Sequence, residues 1–155
     1  MWDDLSREAV EYGDDNEVRA ILNAVCEQTG MGFAAVARVT EDRWIACQVV
    51  DKIEFGMKPG DELEIKKTIC NEIRQSGEMV VIDRVAEHVD WRTHPVPVLY
   101  GFESYVSIPI VLADGQFFGT LCAIDPEPRR LTATATVGVL AGYARRLEEI
   151  LAGQS

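Results

Sequence analysis

The chain has 155 residues, 47% of them hydrophobic and 26% charged, which suits one folded domain with its own core rather than a disordered segment. A formal net charge of −11 lacks the clustered Lys and Arg that binding to nucleic acid or anionic lipid requires, so neither is expected as a partner. No apolar run approaches the roughly 18 residues of a membrane span, and the start, Met1 to Leu5, has no basic signal region, so a cytoplasmic location is expected.

Residues 1–15 are acidic and form an N-terminal extension with a short helix around Leu5 to Tyr12; the domain proper is expected over 16–152. Asn16 is the expected cap of an amphipathic helix whose Val18, Ile21, Leu22, Val25 and Cys26 recur at helical spacing, and Gly30 closes it. Strands follow at Gly32–Val39 and Arg43–Asp51, then a loop over Lys52–Gly60 and a short strand over Glu62–Lys66. Thr68 caps a helix through Ser76, and Met79–Ile82 reads as a buried strand. Asp83–Gly101 is a long irregular connection carrying both histidines, and connections of that length in a compact domain are often functional.

The segment after it is the most ordered in pattern. Asp114-Gly115 between two alternating apolar runs predicts a hairpin with a type I′ turn. Val106, Ile108, Ile110 and Leu112 share one face of the first strand, and Phe118, Thr120, Cys122 and Ile124 one face of the second. Pro126 and Pro128 stop the sheet, and a last helix runs from near Thr132 to Leu151 with Leu140, Ala144, Leu147 and Leu151 in one stripe. Tight turns between adjacent strands predict an α+β fold, a mostly antiparallel β-sheet flanked by helices.

Several segments resemble a GAF domain of the kind found in bacterial sensor histidine kinases and diguanylate cyclases. They are Thr68-Ile-Cys70, Gly77-Glu-Met-Val-Val-Ile-Asp83, His94-Pro95, Tyr105-Val-Ser-Ile-Pro109 and Gly119-Thr-Leu-Cys-Ala-Ile-Asp125, in that order. The resemblance implies a small-molecule pocket on the sheet face that the long loop covers. It also implies N- and C-terminal helices on the opposite face of a central antiparallel sheet, which pair in a homodimer and relay ligand occupancy to a histidine kinase or diguanylate cyclase output domain. On this reading Leu140, Leu147 and Leu151 are divided between the sheet and a partner helix.

The ligand-binding residues expected from the loop and the strand ends are Cys70, Asp83, Trp91, His94, Tyr100 and Tyr105: aromatic area, a few polar tips and a thiol near a helix start. Asp83 and Asp125 also suit a second role, each accepting backbone N–H bonds that fix the next loop. Cys26, Cys47, Cys70 and Cys122 show no Cys-x-x-Cys spacing, so a zinc site is not expected.

Cys70 resembles a cysteine of free methionine-R-sulfoxide reductases, yet Asp83–Gly101 holds no resolving thiol, so catalysis is not expected. Bilin-binding relatives attach the chromophore through a cysteine just before a histidine; here Glu87 precedes His88 and Thr93 precedes His94, so covalent attachment is not expected, and the cofactor is left open between none and a non-covalent tetrapyrrole, bilin or haem. Phe55 precedes Asp61-Glu62 with five residues between, and no Asn-Lys pair occurs, which departs from the cyclic-nucleotide signature. A ligand-free dimerisation scaffold is the remaining alternative.

Overall fold

The computed structural model describes residues 3–64, 73, 76–87, 101–131 and 135–152. Three helices and six strands are found among them. They are α1 (Asp4–Gly13), α2 (Asn16–Thr29), β1 (Phe33–Val39), β2 (Arg43–Asp51), β3 (Glu62–Glu64), β4 (Val80–Ile82), β5 (Ser104–Val111), β6 (Phe117–Asp125) and α3 (Thr136–Ala152). The strands form one antiparallel sheet in the order β3-β2-β1-β6-β5-β4.

The cap of α2 is Asp15, one residue earlier than expected. Its Oδ1 accepts the Glu17 amide at 2.7 Å and the Val18 amide at 3.2 Å, a bond the carboxylate makes more strongly than the Asn16 amide group would. Gly30 ends the helix in the left-handed conformation (φ 74°) and returns its amide to the Cys26 carbonyl.

The sheet separates two apolar clusters. On one face α1 packs on β2, α2 on β1 and β2, and α3 on β5, with Val18, Leu22, Val36, Ile45, Ile108, Ile110 and Leu121 among the residues buried between them. Leu140, Ala144, Leu147 and Leu151 are all fully buried in this cluster, so the α3 stripe is spent on the chain's own sheet and is not divided with a partner helix. Arg146 makes a forked pair with Glu17 that joins α3 to α2; solvent screens a pair this exposed, so it sets geometry more than stability.

Two bulges set which side chains face which cluster. In β6 the pairing with β5 steps from Ile110↔Gly119 to Val111↔Phe117, leaving Phe118 as the extra residue. That step reverses the alternation. Phe118 turns to the helix face, edge-on to Tyr12 at 5.3 Å, while Cys122 and Ile124 face away from the helices. Phe118 thus does not share a face with Cys122 and Ile124, as uninterrupted alternation would have it. A second bulge in β2 steps from Val36↔Gln48 to Ala37↔Ala46, and the C-terminus of α1 sits against it, with Gln48 Nε2 donating to the Gly13 carbonyl at 3.1 Å.

The hairpin turn also differs in type. Leu112 N–H donates to Gln116 O and Gly115 N–H to Leu112 O, which closes a three-residue loop. Neither Ala113 nor Asp114 has positive φ, as type I′ demands; Gly115 alone does (φ 85°), the arrangement of a type I turn closed by a glycine bulge.

Candidate functional site

The face of the sheet turned away from the helices is built around small residues. Alternation along β1 places Phe33, Ala35, Ala37 and Val39 there, with Trp44 and Ala46 from β2, Tyr105 from β5 and Cys122 and Ile124 from β6. By the same alternation Ser107 and Thr120 share this face, and both are completely buried. Ala35, Ala37, Ala46, Ser107, Thr120 and Cys122 therefore form a floor of small, buried side chains on this face, and Phe33, Trp44, Phe55, Met57, Ile73, Phe102 and Tyr105 surround the alanines and Cys122 in one buried cluster.

One wall is the loop after β2, and a carboxylate holds it. Asp51 Oδ1 accepts the amides of Ile53 at 3.2 Å and Phe55 at 3.0 Å, and Oδ2 that of Gly56 at 2.8 Å. The loop is tied further by Lys52 N–H to Gly32 O and Gly60 N–H to Ala46 O. So fixed, Phe55 lies 5.0 Å from the Phe33 ring and Met57 is buried against the cluster. Burial pushes the Asp51 carboxyl up, but the amide bonds from Gly56, Phe55, Ile53 and Met57 outweigh this and hold it below its ordinary value of 3.8. A depressed carboxyl stabilises the fold fully above its unfolded value and loses that contribution as pH falls through the folded one. Acidification below about pH 4 is thus expected to loosen this wall, read as faster exchange of the Phe55 and Gly56 amides, and Asp51→Asn should remove most of that pH response.

The opposite wall carries Tyr105, whose ring stacks on Phe102 at 5.1 Å and 26°, and Val85 from a short 3-10 turn, Val85–Glu87. Tyr105 is only 6% exposed, so it is part of the core as well as the border of this face.

Of the expected ligand-binding residues, Asp83 and Tyr105 lie within the described structure; Cys70, Trp91, His94 and Tyr100 lie outside it. Asp83 pins a loop: its Oδ1 accepts the Leu131 amide at 3.0 Å and its carbonyl the Arg129 amide at 3.0 Å. Asp125 does the same at the end of β6, accepting Gly32 N–H at 2.8 Å and Glu127 N–H at 2.8 Å.

Cys26, Cys47 and Cys122 are buried. Burial raises the Cys26 thiol and pushes Cys47 up to about 12, so neither is a thiolate at neutral pH. Among the described residues no three of His, Cys, Asp and Glu converge as metal ligands would, and no helix is long and apolar enough to cross a membrane.

Sequence reasoning did not identify the alanine floor or the Asp51 cage. The floor had a signal: alanine is depleted in strands, yet Ala35, Ala37 and Ala46 stand at inward positions of two adjacent strands where larger residues would ordinarily fill a core.

The family model for the GAF domain matches residues 15–150. The chain belongs to the GAF domain family. GAF domains are small-molecule sensing and regulatory modules that often sit in multidomain sensor proteins.

Solved structures agree on the fold at low identity. The GAF domain of an Acinetobacter phosphoenolpyruvate-protein phosphotransferase is 12% identical with a TM-score of 0.69, covering 97% of this chain and 95% of that one. A type II free methionine-R-sulfoxide reductase from Thermoplasma acidophilum is 11% identical with a TM-score of 0.66, covering 96% and 95%. The chromophore-binding domain of a Stigmatella aurantiaca bacteriophytochrome is 14% identical with a TM-score of 0.69, covering 95% of this chain and 58% of that one. The fold thus houses sensors and enzymes alike, and at these identities the likeness concerns the fold alone. No curated protein matches the chain.

Proposed function

We propose that this GAF domain is a regulatory module that binds a small molecule against the sheet face opposite the terminal helices. The observation that carries this reading is the floor of Ala35, Ala37, Ala46 and Cys122 inside a border of Phe33, Trp44, Phe55, Met57 and Tyr105. Ligand sites combine apolar area with a few polar groups, and the floor supplies the apolar area through its methyl groups.

Cys70, Trp91, His94 and Tyr100 would complete the site from the segments that flank this face in sequence, and Asp83 would hold the connecting loop in register. A ligand that prefers one arrangement of that loop shifts its population, and the sheet carries the difference to α2 and α3 on its other face. Those two helices are the proposed homodimer and output surface, acting on a histidine kinase or diguanylate cyclase domain. With the α3 leucines buried, the contact there falls to residues such as Val139 and Tyr143.

Native mass spectrometry of freshly purified protein tests this reading. The expected result is a dimer carrying non-covalent mass that disappears on denaturation; visible absorption in the same sample would identify that mass as bilin or haem. Thiol-dependent reduction of free methionine sulfoxide, lost in Cys70→Ser, would replace the binding module by an enzyme.

A further inference from the structure

A second candidate site adjoins the face just described. Between the turn Val85–Glu87 and the segment after β6 lies an open cleft of about 350 Å³, lined by Asp83, Arg84, Glu87, Pro128, Arg129 and Arg130. The chain has 15 Lys and Arg against 26 Asp and Glu, yet three arginines line this one cleft.

The acids beside them do not neutralise them fully. Asp83 spends Oδ1 on the Leu131 amide. Glu87 reaches Arg84 only at 3.8 Å, with both side chains at least half exposed, a pair that solvent screens. Arg129 touches Asp125 at 3.3 Å while its Nε is buried without a hydrogen-bond partner. No carboxylate among the described residues pairs with Arg130.

The backbone that carries two of these arginines is fixed before any ligand arrives. Arg129 N–H donates to Asp83 O, Leu131 N–H to Asp83 Oδ1, and Ser104 Oγ to Glu127 O at 2.7 Å, while Pro128 restricts the chain between them. Such preorganisation lowers the ordering cost of binding. Guanidinium groups match the oxygens of phosphate in forked pairs, and three of them suit a dianion better than a single carboxylate. A volume near the lower end of the roughly 300–1,000 Å³ of small-ligand pockets fits a phosphate with a small body attached.

We propose that this cleft binds the phosphate group of a small phosphorylated molecule, gripped by Arg84 from one wall and Arg130 from the other. Arg84 and Arg130 take no part in the sheet-face reading, although Asp83 and the turn Val85–Glu87 border both sites.

The test is a titration of the full chain, followed by NMR of the amides of 84–87 and 129–131, at neutral pH and constant ionic strength. The probes are inorganic phosphate, glycerol 3-phosphate, acetate and chloride. Saturable shifts are expected with the two phosphates and only small linear ones with acetate and chloride. In Arg84→Gln/Arg130→Gln, whose replaced side chains are exposed and whose melting temperature should not change, both phosphates should bind at least about tenfold more weakly. Equal responses to chloride or acetate, or unchanged phosphate affinity in the double variant, would overturn the proposal. A phosphoserine peptide binding about tenfold tighter than glycerol 3-phosphate would overturn the small-molecule assignment in favour of a protein partner.

Discussion

Gly119→Ala is expected to lose more than about 3 kcal/mol of stability, beyond the usual range for an overpacked site. A Cβ at this position would lie 1.8 Å from the Ala37 carbonyl oxygen, 2.8 Å from its carbon and 3.0 Å from the Val39 nitrogen. All three are backbone atoms of β1, a central strand paired on both sides, so no side chain can swing away to make room. The bulge that turns Phe118 toward the helices sits at the same point, and relieving the clash would unpair it. Urea unfolding followed by circular dichroism checks this, with Gly142→Ala as control. Gly142 lies in α3 with its nearest neighbour 3.9 Å away, so that change should stabilise by about 0.5–1 kcal/mol. A Gly119→Ala protein as stable as the parent would refute the close approach of β1 and β6.

Asp125→Ala should cost about 2–4 kcal/mol, because three donors lose one acceptor at a buried position. The carboxylate is 3% exposed and accepts Gly32 N–H, Glu127 N–H and Arg129 Nη2. Gly32 leads into β1 from α2, and Glu127 and Arg129 belong to the segment leaving β6, so one side chain ties the entry of one strand to the exit of its neighbour. Asp125→Asn keeps one oxygen acceptor and should cost roughly half as much. Denaturation gives the free energies, and amide exchange should rise first at Gly32 and Glu127. Exchange unchanged at both sites would show that other contacts hold this corner.

Much of the fold was legible because local chemistry and global packing agree along this chain. The stripe Val18, Ile21, Leu22, Val25 and Cys26 is the buried face of α2, and Leu140, Ala144, Leu147 and Leu151 that of α3. The alternation of β5 holds from Val106 through Ile110, and Asp83 and Asp125 pin loops as strand-ending aspartates can. Legibility failed where one residue changes the count. Phe118 faces the helices because a bulge inserts it, and no periodicity in β6 marks that step. Burial of the α3 leucines depends on where β5 lies beneath the helix, which sequence spacing does not encode. The Asp51 cage escaped notice because its donors are backbone amides of the following loop, which leave no pattern in side-chain type. The alanine floor required knowing that β1 and β2 are neighbours before Ala35, Ala37 and Ala46 could be seen as one surface.

On this account a small molecule binds against the face that those alanines form. Native mass spectrometry of the parent chain beside Ala35→Leu, with melting temperatures of both, tests it most directly. Ala35 is fully buried at the middle of β1, between Val49 and Cys122, and a leucine there adds bulk on the face where the ligand is proposed to sit. The predicted result is a parent that carries bound mass and an Ala35→Leu protein that still folds, with a lowered melting temperature, and carries none. A bare parent, together with an Ala35→Leu protein that unfolds, would contradict the claim and mean that the chain's own side chains already fill this face.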